Sequence, residues 1–123
     1  MNEDQEFWEY LNQLVVSSRI VVDRPKGSIH PSFDDLVYPL DYGYLEGTTT
    51  IDGGGMDVWV GSKPYSYLKE FVCTVDLYKK DVEIKLLIGC SRDEIIEILK
   101  FHNQQSMRAL LITKINYEEK GDL

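Results

Sequence analysis

Two carboxylates and a run of glycines carry the strongest chemical signal in the chain. Asp52 and Asp57 bracket Gly53-Gly54-Gly55 within the stretch from Val37 to Gly61. Glycine lets a backbone reverse direction without steric penalty, so both carboxylates can face one point. Hard oxygen ligands converging in this way suit Mg²⁺ or Mn²⁺. Tyr38 and Tyr42, just upstream, offer hydroxyl groups to an anion held by such a metal. A second cluster is Asp81-Val82-Glu83-Ile84-Lys85. On a strand, residues 81, 83 and 85 share one face, which places two acids and a lysine together, a set that can hold a metal and the phosphate bound to it. Two plainer readings stand beside these. Aspartate is a common turn residue, and a charged strand face is common on a protein surface.

A third segment, Val21-Val22-Asp23-Arg24-Pro25-Lys26-Gly27-Ser28, combines with the other two into a recognisable pattern. Tyr38-Pro39-Leu40-Asp41-Tyr42-Gly43-Tyr44 followed by Asp52-Gly53-Gly54-Gly55-Met56-Asp57-Val58 resembles the signature region of the soluble family I inorganic pyrophosphatases, where a Y-P-x-x-Y-G-[FY] segment precedes a D-G-D-P-x-D-V metal loop. Glu83 and Lys85 match that family's acidic-x-Lys pair, and Val21 to Ser28 its acidic-x-Pro-Lys-Gly-Ser segment.

The resemblance implies Mg²⁺-dependent hydrolysis of pyrophosphate, with Mn²⁺ as the alternative ion. Asp52, Asp57 and Glu83 then hold metal, with Asp81 and Asp23 as further acidic candidates and Asp76 as a substitute for Asp81. Lys26, Tyr38, Tyr42 and Lys85 bind the substrate, and Asp57, Lys85 and Tyr42 are the catalytic set. The chain also departs from the pattern. Gly54 stands where the family has its central, water-activating aspartate, and Pro31 and Phe33 stand where it has Lys and Glu. His30 is the nearest titratable substitute. The family's phosphate-binding arginine has only Arg24 as a stand-in, and in a regular strand Arg24 points away from Asp23. The alternative is therefore a weak or inactive protein of the same fold that binds a phosphorylated small molecule through a metal.

The elements that must position these residues read as follows. Residues 4–17 repeat apolar side chains (Phe7, Trp8, Leu11, Leu14, Val15) at helical spacing, with Asp4 as the candidate cap. Strands are expected over 19–23, 42–50, 56–60, 70–78 and 82–90, the last two forming a hairpin around Lys79-Lys80-Asp81. Met56, Val58 and Val60 share one face of their strand, and Asp57 and Trp59 the other. Ser91-Arg92-Asp93-Glu94 is a capping box that opens a helix to about His102. Residues 107–115 read as a last strand with helix as the alternative, and the polar tail 117–123 as frayed. Many short strands with turn signals point to a small barrel. The resemblance implies the same, a mainly β (α+β) OB-like five-stranded β-barrel flanked by N-terminal and C-terminal helices.

Bulk properties bound the function. The chain has 123 residues, enough for a single domain with one real core. A formal net charge of −8 argues against nucleic acid, whose binders present basic faces. An OB-type nucleic-acid module stacking bases on Trp59, Tyr42, Tyr44 and Tyr78 is accordingly the least supported class. A metal-loaded carboxylate cluster still holds a polyanion in an acidic protein. There is no apolar run of spanning length, and the acidic start Met1-Asn2-Glu3-Asp4 is unlike a secretory leader. Cys73 and Cys90 read as reduced core thiols. The expected setting is cytoplasmic, with a small-molecule phosphoanhydride as partner, no membrane, and a homo-oligomer as the possible assembly.

Overall fold

The computed structural model describes residues 1–116; the tail expected to fray lies outside them. Helix α1 (Glu3–Val16) starts earlier than the position of Asp4 suggests. Asn2 is the cap: its side chain accepts from the Gln5 N–H at 2.8 Å and the Gln5 side chain accepts from the Asn2 N–H at 2.8 Å. This reciprocal pair satisfies two of the N–H groups that a helix start leaves open. Trp8, Leu11 and Val15 are buried, while Phe7 and Leu14 lie at the margin of the apolar stripe, half exposed. Helix α2 (Arg92–His102) opens on the expected capping box, Ser91 with Glu94, and buries Ile95, Ile98 and His102.

The strands are β1 (Ile20–Arg24), β2 (Asp41–Leu45), β3 (Met56–Val60), β4 (Glu70–Asp76), β5 (Asp81–Ile88) and β6 (Met107–Thr113). Strand β2 is shorter than its apolar pattern predicts because the chain turns at Gly47, which sits at φ +86°. Residues 107–113 form a strand, which excludes the helical alternative. β4 and β5 make the expected hairpin, with β4 ending at Asp76.

The six strands form one sheet in the order β1-β2-β3-β5-β4-β6. All pairs are antiparallel except β3 with β5. The expected barrel had five strands. The observed sheet has a sixth, because β6 pairs with β4 along seven residues, and it stays open with β1 and β6 at its edges. Among the described residues "barrel" is thus a loose word for a curved OB-like sheet flanked by two helices.

Alternation along the strands splits the core into two clusters. On one face Trp8, Leu11 and Val15 of α1 pack on Leu45, Val58, Leu86 and Ile88. On the other, Ile95 and Ile98 of α2 pack on Trp59, Val72 and Leu87, together with Tyr38 and Leu40. Strand β3 serves both faces, with Val58 and Trp59 each fully buried. Gly43 is required where β1 crosses β2, since a Cβ there would lie 1.8 Å from the Val21 carbonyl oxygen. No described helix is long and apolar enough to cross a membrane.

Candidate functional site

Pairing register assembles the site on the α2 face. Asp57 of β3 lies opposite Tyr44 of β2 on one side and Lys85 of β5 on the other. Tyr42 is two residues from Tyr44 and so faces the same way. Lys85 Nζ donates to Asp57 Oδ2 at 2.9 Å and to Tyr42 Oη at 2.9 Å. Glu83, also on this face of β5, brings Oε2 to 3.6 Å from the same nitrogen. The sequence-expected catalytic set of Asp57, Lys85 and Tyr42 is therefore one connected cluster.

Its electrostatics follow from burial. The Lys85 side chain is only 7% exposed. Desolvation disfavours its charge, but the Asp57 carboxylate, with the hydrogen bonds to Asp57 and Tyr42, offsets that and holds its pKa above the ordinary lysine value. Lys85 is an ammonium ion at any physiological pH. Burial raises the Tyr42 phenol above its usual range despite Lys85, so that hydroxyl stays protonated. Glu83 is also raised, by burial first, with Lys85 opposing.

Asp52 reaches the same place from the glycine loop. Its Oδ1 accepts from the Thr50 hydroxyl and from the Gly54 N–H at 3.0 Å. These bonds, led by that of Thr50, hold the carboxyl below the usual aspartate range. Within the loop only Gly53 adopts a left-handed conformation, at φ +87°, so one glycine makes the turn that the sequence assigned to three. Asp52, Asp57 and Glu83 all line one cavity of about 300 Å³. Among the described residues, however, no three His, Cys, Asp or Glu side chains are grouped so that they could hold a metal ion by themselves. Two of the three carboxylates here already face the Lys85 ammonium, and Asp52 is turned onto its own loop.

The other expected residues divide. Tyr38 and Asp23 line a larger cavity of about 740 Å³ that shares Asp52, Asp57 and Glu83 with the first. Lys26 and Asp81 line neither. The Lys26 side chain is exposed, and its backbone N–H ties the turn to Asp41 Oδ1 at 2.8 Å. Asp81 sits at the hairpin end opposite Asp76. Asp76 Oδ1 accepts from the Tyr78 and Lys79 N–H groups and the Ser106 hydroxyl, which makes it a turn organiser.

Sequence reasoning undervalued Arg24. The β1–β2 register slips between Val22 and Arg24, leaving Asp23 as a bulge residue. A bulge re-aims side chains, and Asp23 and Arg24 line the same cavity instead of pointing apart. Arg24 Nη1 donates to the Tyr38 hydroxyl at 2.8 Å. His102 was read only as the end of a helix and not as a site residue. Its Nε2 accepts from the Trp59 indole N–H at 3.0 Å, and burial, then Lys85, pushes its pKa down to about 3. The one available signal was its place on the buried stripe of α2, seven residues after Ile95.

With this geometry in view, comparison with solved structures is informative. An inorganic pyrophosphatase from the pathogenic bacterium Helicobacter pylori superposes with a TM-score of 0.52 at 16% identity, over 81% of this chain and 84% of that one. An inorganic phosphatase from Anaplasma phagocytophilum gives 0.51 at 16%, over 76% and 81%. An inorganic pyrophosphatase from Coxiella burnetii gives 0.51 at 14%, over 82% and 86%. The chain has the inorganic pyrophosphatase fold. No protein-family model matches the sequence, and no curated protein is significantly similar to it. The pyrophosphatase fold is thus carried here by a sequence that keeps few of its neighbours' residues.

Proposed function

We propose that the protein is a divalent-metal-dependent phosphoanhydride hydrolase that splits pyrophosphate into two phosphates. The observation that carries the reading is the buried Lys85 ammonium, braced by Asp57 and Tyr42, at the larger cavity, which Asp52 and Glu83 also line. An ammonium group has three N–H donors. Two are engaged by Tyr42 and Asp57, and the third, facing Glu83 only at 3.6 Å, is the one a phosphate oxygen would take. Arg24 and Lys79 add positive charge to the same cavity.

Three carboxylates that do not close on one point still fit a cation of a particular kind. Mg²⁺ is commonly held by one or two carboxylates, with waters and substrate phosphate oxygens completing its shell. Asp52, Asp57 and Glu83 fit an ion that arrives with the diphosphate. Once bound, such an ion neutralises phosphate charge and lowers the pKa of water. The chain's own part is to orient the diphosphate through Lys85, Tyr42 and Arg24 and to place negative charge beside the cation. In the reaction a water oxygen forms a bond to one phosphorus and the bridging P–O bond breaks. The bridging oxygen leaves with the other phosphate, and the water protons pass to the phosphates and solvent. Free thiols at Cys73 and Cys90 support a cytoplasmic setting for this activity.

The test is phosphate release from pyrophosphate with Mg²⁺ or Mn²⁺, in the wild type and in Gly54→Asp. A Cβ at Gly54 would meet only Asp52 Oδ1, at 3.4 Å, so the loop has room for the carboxylate that the sequence pattern lacks. Activity in the wild type that rises by roughly 10²-fold in Gly54→Asp is expected for a restored general base. A second reading is favoured by Gly54 itself: a protein that binds a phosphorylated molecule with metal and does not hydrolyse it. Metal-dependent binding of pyrophosphate with no phosphate released, even from Gly54→Asp, would replace the first reading with the second.

A further inference from the structure

The larger cavity is more than a diphosphate needs. At about 740 Å³ it falls in the range that encloses an organic ligand of drug size. Its lining combines charged residues, Asp57, Lys85 and Arg24 among them, with a run of aromatic rings. Tyr42 and Tyr38 have centroids 5.4 Å apart, Tyr38 and His30 are parallel at 6.0 Å, and His30 and Phe33 are 5.2 Å apart.

Tyr38 and Tyr42 belong to the core beneath α2, and His30 packs on it through Tyr38 and Phe101, whereas Phe33 lies outside it. Phe33 is 43% exposed, and both it and His30 lie on the loop between β1 and β2. That loop is held by backbone bonds from the His30 N–H to the Leu36 carbonyl at 2.8 Å and from the Tyr38 N–H to the Ser28 carbonyl at 2.9 Å. The His30 ring is fixed as well, since its Nδ1 accepts from the Ser32 N–H at 3.0 Å. A braced loop whose aromatic side chains line a cavity, one of them as exposed as Phe33, offers a stacking surface. Arg24 links charge to the rings: it bonds the Tyr38 hydroxyl and lies 5.7 Å from that ring's centroid. Burial, with Arg24 and Lys79 adding to it, lowers the His30 pKa, which keeps the imidazole neutral for stacking.

We infer that the site takes a diphosphate bearing a flat heteroaromatic group, of the nucleoside diphosphate class, with the phosphates at Lys85 and Arg24 and the ring against His30 and Phe33. This rests on the proposed function for the phosphate end alone. Hydrolysis of such a ligand breaks the same anhydride bond, and the bridging oxygen stays with either fragment as a phosphate oxygen.

The experiment is calorimetric titration of the wild type and Phe33→Ala with ADP and, separately, pyrophosphate, each with Mg²⁺, beside phosphate-release assays on both compounds. Phe33 is exposed enough for its truncation to leave the fold intact. The expected result is ADP bound about tenfold more tightly than pyrophosphate, with that ratio reduced roughly five- to tenfold in Phe33→Ala, as the loss of one base-stacking ring entails. Pyrophosphate bound and split while ADP binds no better, or a ratio unmoved by Phe33→Ala, overturns the inference and leaves the pyrophosphatase reading standing. ADP bound with the expected ratio change but no phosphate released from pyrophosphate keeps the inference and removes that reading. Binding of neither compound removes both.

Discussion

The two faces of the sheet are built from the same strands and do different work. Beneath α1 the contacts are apolar: Trp8, Leu11 and Val15 against Val58, Leu86 and Ile88. Beneath α2 an equally buried cluster of Trp59, Leu87, Ile95 and Ile98 gives way, along the same strands, to Tyr42, Asp57, Glu83 and Lys85. Residues one step apart, such as Val58 and Asp57 or Leu86 and Lys85, belong to opposite faces. One face can therefore be spent on stability while the other holds buried charge, which is tolerated only when paired.

Separating the faces by mutation tests that division. Trp8→Ala removes a side chain only 3% exposed and is expected to cost about 3–5 kcal/mol in denaturant unfolding. The folded fraction should bind ligand as the wild type does; lost affinity in folded molecules would mean the two faces are coupled. Acid acts on the α2 face. The unfolded His102 imidazole takes up a proton near its ordinary pKa of about 6.5, whereas the folded one resists until about 3. Its contribution to stability is thus full above pH ~6.5 and is lost as pH falls toward 3, on the order of a few kcal/mol. A His102→Phe variant should show a flatter stability profile in that window, and an unchanged slope would assign the acid sensitivity elsewhere.

Asp57→Asn keeps the shape of the side chain and removes its charge. Phosphate release should drop by at least ~10²-fold and the melting temperature should fall as well, because the buried Lys85 ammonium loses its closest charged partner; full activity in the folded variant would detach the Asp57–Lys85 cluster from the chemistry. The smallest effect is expected for Trp59→Phe, which leaves His102 Nε2 without its donor. About 1–3 kcal/mol is the usual cost of such an orphaned buried group, read by thermal unfolding. No loss at all would mean that water replaces the indole.

The legibility of the chain follows from how local each signal was. Capping at Ser91, the α1 stripe, the β4–β5 hairpin and the alternation in β3 are short-range patterns, and each appeared where the sequence put it. The shared face of Glu83 and Lys85 was legible for the same reason. The cap of α1 was misplaced by two residues because Asn2 and Asp4 are both good caps, and only the reciprocal bond with Gln5 decides between them. The bulge at Asp23 was invisible, since the slip is a property of two strands and not of one.

From residue types and spacing, joined to the resemblance to the family I pyrophosphatases, came the candidates Tyr38, Tyr42, Asp52, Asp57, Asp81, Glu83 and Lys85 and the expectation of a small OB-like β fold. Tertiary structure alone decided that Lys85 would lie between Asp57 and Glu83, that Asp52 would turn onto its own loop, that the sheet would stay open with six strands, and that Arg24, His30 and Phe33 would share a cavity with the carboxylates. The reason is physical. Side-chain direction along a strand is fixed by local geometry, whereas the distance between charges on different strands depends on register, bulges and burial, which no single segment encodes.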